Sequence, residues 1–313
     1  MPIALVSTDR MSCIREFIHI NSSEVEYYNF DDRPGKIFSG IEDCRQTILV
    51  TERGAGLSWV ITSKYNRWKS EDRSKLLKSL QTHKWKLPNL TDPIPKIGTK
   101  TEEDILQKLQ QKSGGKSVQD FLKDSGTKIW YHNAPRYWIH AHTEEYLPKV
   151  EYYSKLKENK VTGEKLPYDL KEAKVSSHYK PVTLEKDNAP IINGLLNSSL
   201  FYWWFVAWSD GRDLLADHIK SFPINLEAFS QTMKDRLKKL VEELMKSYDK
   251  NSNIKVNERM GGYAIKIKEI IPSKSKAIID EIDDIFAECF GFSQKEREFI
   301  SKFDIEFRME SYQ

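Results

Sequence analysis

The 313 residues are 39% hydrophobic and 12% aromatic, which supplies core material for one large or two ordinary globular domains. With 49 basic against 46 acidic residues the formal charge is only +3, so charge bulk alone announces no nucleic-acid partner and its distribution has to decide. Cys13, Cys44 and Cys289 are odd in number and share no ligand spacing, which argues against a disulfide framework or a zinc ribbon and predicts a reducing, cytoplasmic setting.

The opening "MPIALVSTDRMSC" has no basic region and reaches Asp9 and Arg10 too soon for a signal peptide. Residues 1–63 read as β-rich α/β. "IALVS" is an apolar run typical of a buried strand, and "CIREFIHI" places Ile14, Phe17 and Ile18 on one helical face. After "VEYYNF" and the Pro/Gly-marked loop "DDRPGKIFSG", the strand-like runs "RQTILVT" and "LSWVITS" are joined by "ERGAG", whose glycines suit a hairpin turn.

Residues 64–86, "KYNRWKSEDRSKLLKSLQTHKWK", hold eight Lys or Arg against two acids, interleaved with Tyr65, Trp68 and Trp85. Cations offset phosphate charge and aromatic rings stack on bases, so the stretch suits nucleic acid; a solvated face with its tryptophans anchored in a core fits equally. After an irregular linker, Thr101 is placed to cap a helix "EEDILQKLQQK" that ends at Gly114 and Gly115. "SGGKS" lacks the first glycine of a phosphate loop, Gln110 standing in its place, and reads as a plain loop.

"KIWYHNAPRYWIHAHTEEYLP" is rich in aromatic residues and adds His132, His140 and His142. His140 and His142 share one side of an extended strand and admit a metal site, but no cysteine or well-spaced carboxylate completes it. The Lys-rich residues 150–180 read as a surface excursion. The uncharged run "PIINGLLNSSLFYWWFVAWS" is long enough to cross a bilayer, yet Asn193, Asn197, Ser198 and Ser199 interrupt it and charges flank it closely, so it reads as a core helix. Two amphipathic helices follow. Met233, Leu237, Leu240, Val241, Leu244 and Tyr248 line the first; Ile278, Ile279, Ile282, Ile285, Phe286 and Cys289 line the second, whose Asp280, Asp283 and Asp284 read as an exposed acidic face. Gly291 closes that helix and "SQKE" at 293–296 is a capping box for a last one.

Three separated stretches carry a family resemblance: "ALVSTDRMSCIREFI" with "YYNFDDRPGKIFSGIEDCRQTILVT", then "LLNSSLFYWWFVAWSDGRDLLADHIKSFPI", then "IIDEIDDIFAECFGFSQKEREFISKFDIEFRM". In this order they resemble the C-terminal half of adenine-specific DNA methyltransferases of bacterial type II restriction-modification systems, in which a target recognition region follows the catalytic domain. The resemblance implies an α/β fold: a remnant of a class I methyltransferase sheet (1–63), a mixed α+β target recognition domain (64–225) and a C-terminal helical region (226–313). The family binds S-adenosylmethionine in a glycine-rich strand-to-helix turn and handles the flipped adenine with an Asn/Asp-Pro-Pro-Tyr/Phe motif. Neither motif occurs in this sequence, and "NAPRYW" departs from the second at Ala134 and Arg136.

The resemblance therefore implies that the chain binds duplex DNA, is inactive alone, and needs a chain carrying the missing catalytic half. Phe38 matches the family's late aromatic that stacks on the flipped adenine, an ordinary core Phe being the alternative. Arg33, Lys36 and Arg45 beside it are candidate phosphate contacts; Lys64, Arg67, Lys69 and Arg73 in the basic stretch and Arg136 in the "NAPRYW" loop are candidate DNA contacts, with Arg67, Arg73 and Arg136 as base or phosphate readers; and Arg212 in "SDGRDL" is placed near the DNA-facing side, a simple turn with an internal Arg-Asp pair being the alternative. The competing expectation is a stand-alone DNA-specificity or interaction module serving a separate catalytic subunit. No membrane association is expected.

Overall fold

The computed structural model describes residues 1–38, 40, 44–158, 165–259 and 263–310. In chain order the elements are α1 (Ala4–Ser7), α2 (Ser12–Ile20), β1 (Ser22–Phe30), β2 (Gln46–Arg53), β3 (Trp59–Asn66), β4 (Thr82–Lys86), α3 (Lys100–Ser113), β5 (Leu122–His132), β6 (Ala141–Thr143), β7 (Lys149–Glu158), β8 (Lys165–Val175), β9 (Tyr179–Leu184), α4 (Ala189–Asn197), α5 (Ser199–Trp208), α6 (Ala216–Lys220), α7 (Gln231–Lys250), β10 (Asn253–Arg259), β11 (Tyr263–Glu269), α8 (Lys276–Phe290), α9 (Gln294–Lys302) and α10 (Ile305–Glu310). The fold is mixed α/β with several sheets. Two compact units share the chain: one comprises Met1–Gly115, Trp203–Ile224 and Phe290–Phe299, the other Lys116–Tyr202, Asn225–Cys289 and Ile300–Gln313.

The first unit is built on a four-stranded sheet in the order β2-β1-β3-β4. The expected hairpin of β2 on β3 does not form. β1 lies between them, antiparallel to β2 and parallel to β3, and it is β4 that pairs antiparallel with β3. On one face Phe30 packs edge-on against Trp68, with ring centroids 5.7 Å apart, and Leu76 joins them. Val25 and Tyr27, of opposite parity, are fully buried on the other face.

"IALVS" forms the helix α1 rather than a strand; a run of four apolar residues fits a buried turn of helix as well as a buried strand. The helix α2 forms as expected but faces the other way. Arg15 and His19 are its buried residues, while Ile14, Phe17 and Ile20 are 43%, 69% and 52% exposed. The polar stripe is buried because it is fully bonded. Arg15 donates to the carbonyls of Leu5, Thr8 and Thr91, and His19 bridges the Leu90 carbonyl and the Tyr27 hydroxyl. Helix α3 is capped by Thr99, whose hydroxyl accepts from the Glu102 amide, and not by Thr101, which is buried. The Trp203–Trp208 part of α5 ends on Lys96: its amide and its ammonium both donate to the Ala207 carbonyl at 2.9 Å, and burial pushes the amine down to about 7.

The second unit holds a three-stranded sheet, β6-β5-β9, and a four-stranded antiparallel sheet, β10-β11-β7-β8. The expected surface excursion thus contains an antiparallel pair, β7 with β8, whose register shifts between Tyr152 and Tyr153, and β7 also pairs with β11 of a second antiparallel pair, β10 with β11, that periodicity did not signal. Every residue of β10 is exposed, so neither hydrophobic alternation nor a core run marked it. Helix α4 packs on α7 at Gly194, where an added Cβ would stand 3.2 Å from the Leu237 side chain. The long apolar run is two helices, α4 and α5, broken at Ser198, whose backbone is extended. Among the described residues no helix is long and apolar enough to cross a membrane.

Asn197 at that break is buried and saturated. It exchanges two hydrogen bonds with the Ala141 backbone, donates to Asn193 and accepts from the Tyr248 hydroxyl. Asp283 is also buried, which corrects the expected exposed acidic face at this residue, while Asp284 is exposed: one Asp283 carboxylate oxygen accepts the amides of Ser199 and Leu200 and caps α5. Burial nonetheless drives this carboxyl up to about 6, against the hydrogen bonds that favour its anion.

Candidate functional site

The exposed loop after β1 begins on buried charge. Asp31 and Asp32 are each 5% exposed at the side chain, and three guanidiniums converge on them. Arg67 Nε donates to Asp31 at 2.6 Å, Arg45 Nε lies 3.3 Å from Asp31 and 3.6 Å from Asp32, and Arg33 Nε lies 3.8 Å from Asp32. Burial raises the Asp31 carboxyl, but Arg67, Arg45 and its hydrogen bonds outweigh that and hold it below the usual carboxylate range. Burial and the bond to Asp31 push Asp32 the other way.

From this anchor the loop runs over the indole of Trp68. Gly35 has no room for a side chain, since a Cβ would stand 2.5 Å from Trp68 Nε1. Farther out, Arg73 donates from its two terminal nitrogens to the carbonyls of Lys36 and Ile37, both at 2.7 Å. Phe38 follows directly, and it is 46% exposed rather than a core residue. A second loop approaches the same anchor: Gly211, at φ +73°, lies against the Tyr65 hydroxyl, and Asp210, Arg212, Arg45 and Cys44 line a cleft of about 140 Å³ with Pro2, Ile3 and Ala4.

The expected DNA contacts thus separate into kinds. Arg33, Lys36, Arg73 and Arg212 are exposed, and Arg45, Lys64 and Lys69 are half-buried. Arg67 has a side chain only 3% exposed and turns inward to Asp31, so its charge supports the loop. Arg136 is exposed beside the Tyr137 ring, on the second unit. Ser39 and residues 41–43, within the resembling stretch, lie outside the described residues. Asp31 and Asp32 escaped sequence reasoning; an acidic pair inside a basic region was the available signal, but only the fold shows that it is buried.

The "NAPRYW" loop is fixed from behind. Trp138 donates its indole N–H to the Arg308 carbonyl, and the Arg308 guanidinium stacks 3.8 Å from the Trp138 ring and 4.8 Å from that of Tyr202. His140 Nδ1 and His142 Nε2 are hydrogen-bonded to each other at 2.9 Å, and His132 stacks on His140. Burial holds His132 down at about 4 and His142 at about 3. Among the described residues no group of three or more His, Cys, Asp or Glu side chains is arranged to hold a metal ion.

The turn that the resemblance implies for S-adenosylmethionine joins a strand to a helix. Among the described residues no strand leads into an α-helix through a glycine-rich turn: the β4 to α3 connection has Gly98 alone, and the β9 to α4 and β11 to α8 connections have no glycine. No step of methyl transfer is therefore assigned to this chain. No protein-family model matches the sequence, and no curated protein matches it.

Proposed function

We propose that this chain is the target recognition part of a site-specific, adenine-specific DNA methyltransferase, working in the cytoplasm, with β2-β1-β3-β4 as the remnant of a class I methyltransferase sheet. It grips duplex DNA and helps hold the flipped adenine, while S-adenosylmethionine and the Pro-Pro motif come with a catalytic half. The observation that carries this reading is Phe38: an exposed ring on a loop anchored by Asp31, Trp68 and Arg73, with Arg33 and Lys36 exposed beside it. An adenine taken out of the stack needs a flat apolar surface, and the strand that delivers it needs its phosphates neutralised. The rigid anchor matters because a stacking ring on a floppy loop would lose its advantage to ordering entropy.

Fluorescence anisotropy with labelled duplex DNA, over roughly 50 to 200 mM salt, tests it. Affinity should fall linearly in the logarithm of salt concentration, and the double substitution of Arg33 and Lys36 by Gln should flatten that slope by about two. Salt-independent binding would refute the assignment. Labelled methyl should reach DNA only when the catalytic half is added; transfer by the chain alone would show that it is not incomplete.

A further inference from the structure

The loop that carries Arg136 is held at both of its ends. It runs from β5 to β6, and main-chain bonds close its base: the His132 amide donates to the His140 carbonyl at 3.1 Å, and the Asn133 amide to the His178 carbonyl at 2.8 Å. Its far side rests on α10. The buried Trp138 donates its indole N–H to the Arg308 carbonyl, while the Arg308 guanidinium stacks on the Trp138 ring and lies 4.8 Å from that of Tyr202. This side chain is fully buried, and one of its terminal nitrogens donates to the Ser199 hydroxyl and the Phe303 carbonyl, both at 3.3 Å. A buried guanidinium costs desolvation that an apolar side chain of the same volume would not, so filling space does not account for it. What the planar group adds is direction: stacked and bonded at once, it fixes where the Trp138 ring lies.

Between the two supports the chain turns outward. Pro135 is buried, while Ala134 and Arg136 on either side of it are exposed. Residues 126–143 contain no acid, and Lys180, exposed on β9, stands opposite Tyr131 at the foot of the loop. The surface so presented carries the sign that a DNA phosphate needs. We propose that Arg308 is a positioning residue for Arg136: it holds the far side of the loop so that Arg136 meets the duplex already ordered, and it touches no DNA itself. The inference rests on the function proposed above and adds how one of its contacts is made. An arginine on a loop held at one end alone would lose affinity to the ordering of that loop each time DNA bound.

Two variants of the full chain release the far support from opposite sides. Arg308→Lys keeps the charge and loses the flat stack, whereas Trp138→Phe keeps a ring in place and loses the bond to the Arg308 carbonyl. Each should speed tryptic cleavage after Arg136 by about tenfold, read from the masses of the products, with cleavage at other sites unchanged. Each should also weaken duplex binding, and the loss should be coupled to Arg136. In the wild type Arg136→Gln should weaken binding by about fivefold or more, and in either released variant by about twofold or less. Losses that multiply across the two positions, or cleavage after Arg136 that speeds no more than cleavage elsewhere, overturn the inference. So does an Arg136→Gln chain that binds like wild type. Should Arg308→Lys fail to fold by circular dichroism, Trp138→Phe carries the same comparison. Absence of salt-dependent duplex binding by the wild type would instead strike the proposed function, and the tryptic measurement would still decide whether Arg308 holds the loop.

Discussion

Arg33 and Arg67 stood as equals among the expected DNA contacts, and their surroundings make them opposites. The Arg33 side chain is 47% exposed with Asp32 at 3.8 Å, whereas that of Arg67 is 3% exposed with Asp31 at 2.6 Å. Removing Arg67 leaves a buried carboxylate with Arg45 as its remaining close cation. Arg67→Ala should therefore cost about 3 kcal/mol of stability in urea unfolding. Arg33→Gln should cost under about 0.5 kcal/mol, the usual value for a surface position, yet weaken duplex binding at low salt. Equal stability losses would show that Asp31 is not held by Arg67. Sequence could list the cations of this region but not rank them, because rank depends on which ones the fold turns toward the acidic pair.

The loop that carries Phe38 was legible as a loop, and the reason for its shape was not. Pro34 and Gly35 mark a turn in any reading, but the demand for glycine comes from Trp68, 33 positions later in the sequence and directly beneath it. Gly35→Ala should displace the loop, with an overpacking cost of about 1–3 kcal/mol. Duplex binding should then fall as far as in Phe38→Ala, while Phe38→Ala alone leaves stability within about 0.5 kcal/mol. If Gly35→Ala binds like wild type, the path over Trp68 is not what presents the ring. The same distinction runs through the other elements. α7 and α8 were readable because a stripe of period 3.6 is written locally. The insertion of β1 between β2 and β3 is a long-range choice with no local mark, and β10 shows no apolar alternation at all. Helix α2 shows the same limit: Ile14, Phe17 and Ile18 could be placed on one face from the sequence, but that the fold buries Arg15 and His19 depends on carbonyls far along the chain.

At the scale of the whole molecule, each unit draws on three separate stretches of sequence, which no composition shift announces, and its buried ionisable groups have a measurable signature. Burial holds His132 at about 4 and His142 at about 3, with His140 well below its ordinary value; His178 and Lys268 add like charge nearby. A histidine with a lowered folded pKa binds its proton only after unfolding, so its stabilising effect is complete above its unfolded value near pH 6.5 and declines as pH falls from there. His19 and His218, lowered by burial as well, act in the same direction. Asp283 opposes them. Its folded pKa of about 6 exceeds the unfolded value near 3.9, so between these it takes up a proton on folding and stabilises as pH falls. Between pH 6 and 5 ordinary carboxylates are still ionised, so the histidines should dominate and the unfolding free energy should fall with acidification. Asp283→Asn keeps an oxygen to accept the Ser199 amide but removes the opposing titration, and should steepen that fall by about 1 kcal/mol between pH 6 and 5, since the folded carboxyl goes from half to nearly fully protonated there. Urea unfolding across that window in both proteins decides it: a wild-type stability that is flat or rises toward pH 5 would mean that the histidines are open to protons in the folded state. Parallel slopes in the two proteins would mean instead that Asp283 is ionised throughout, and that the α5 cap is charged.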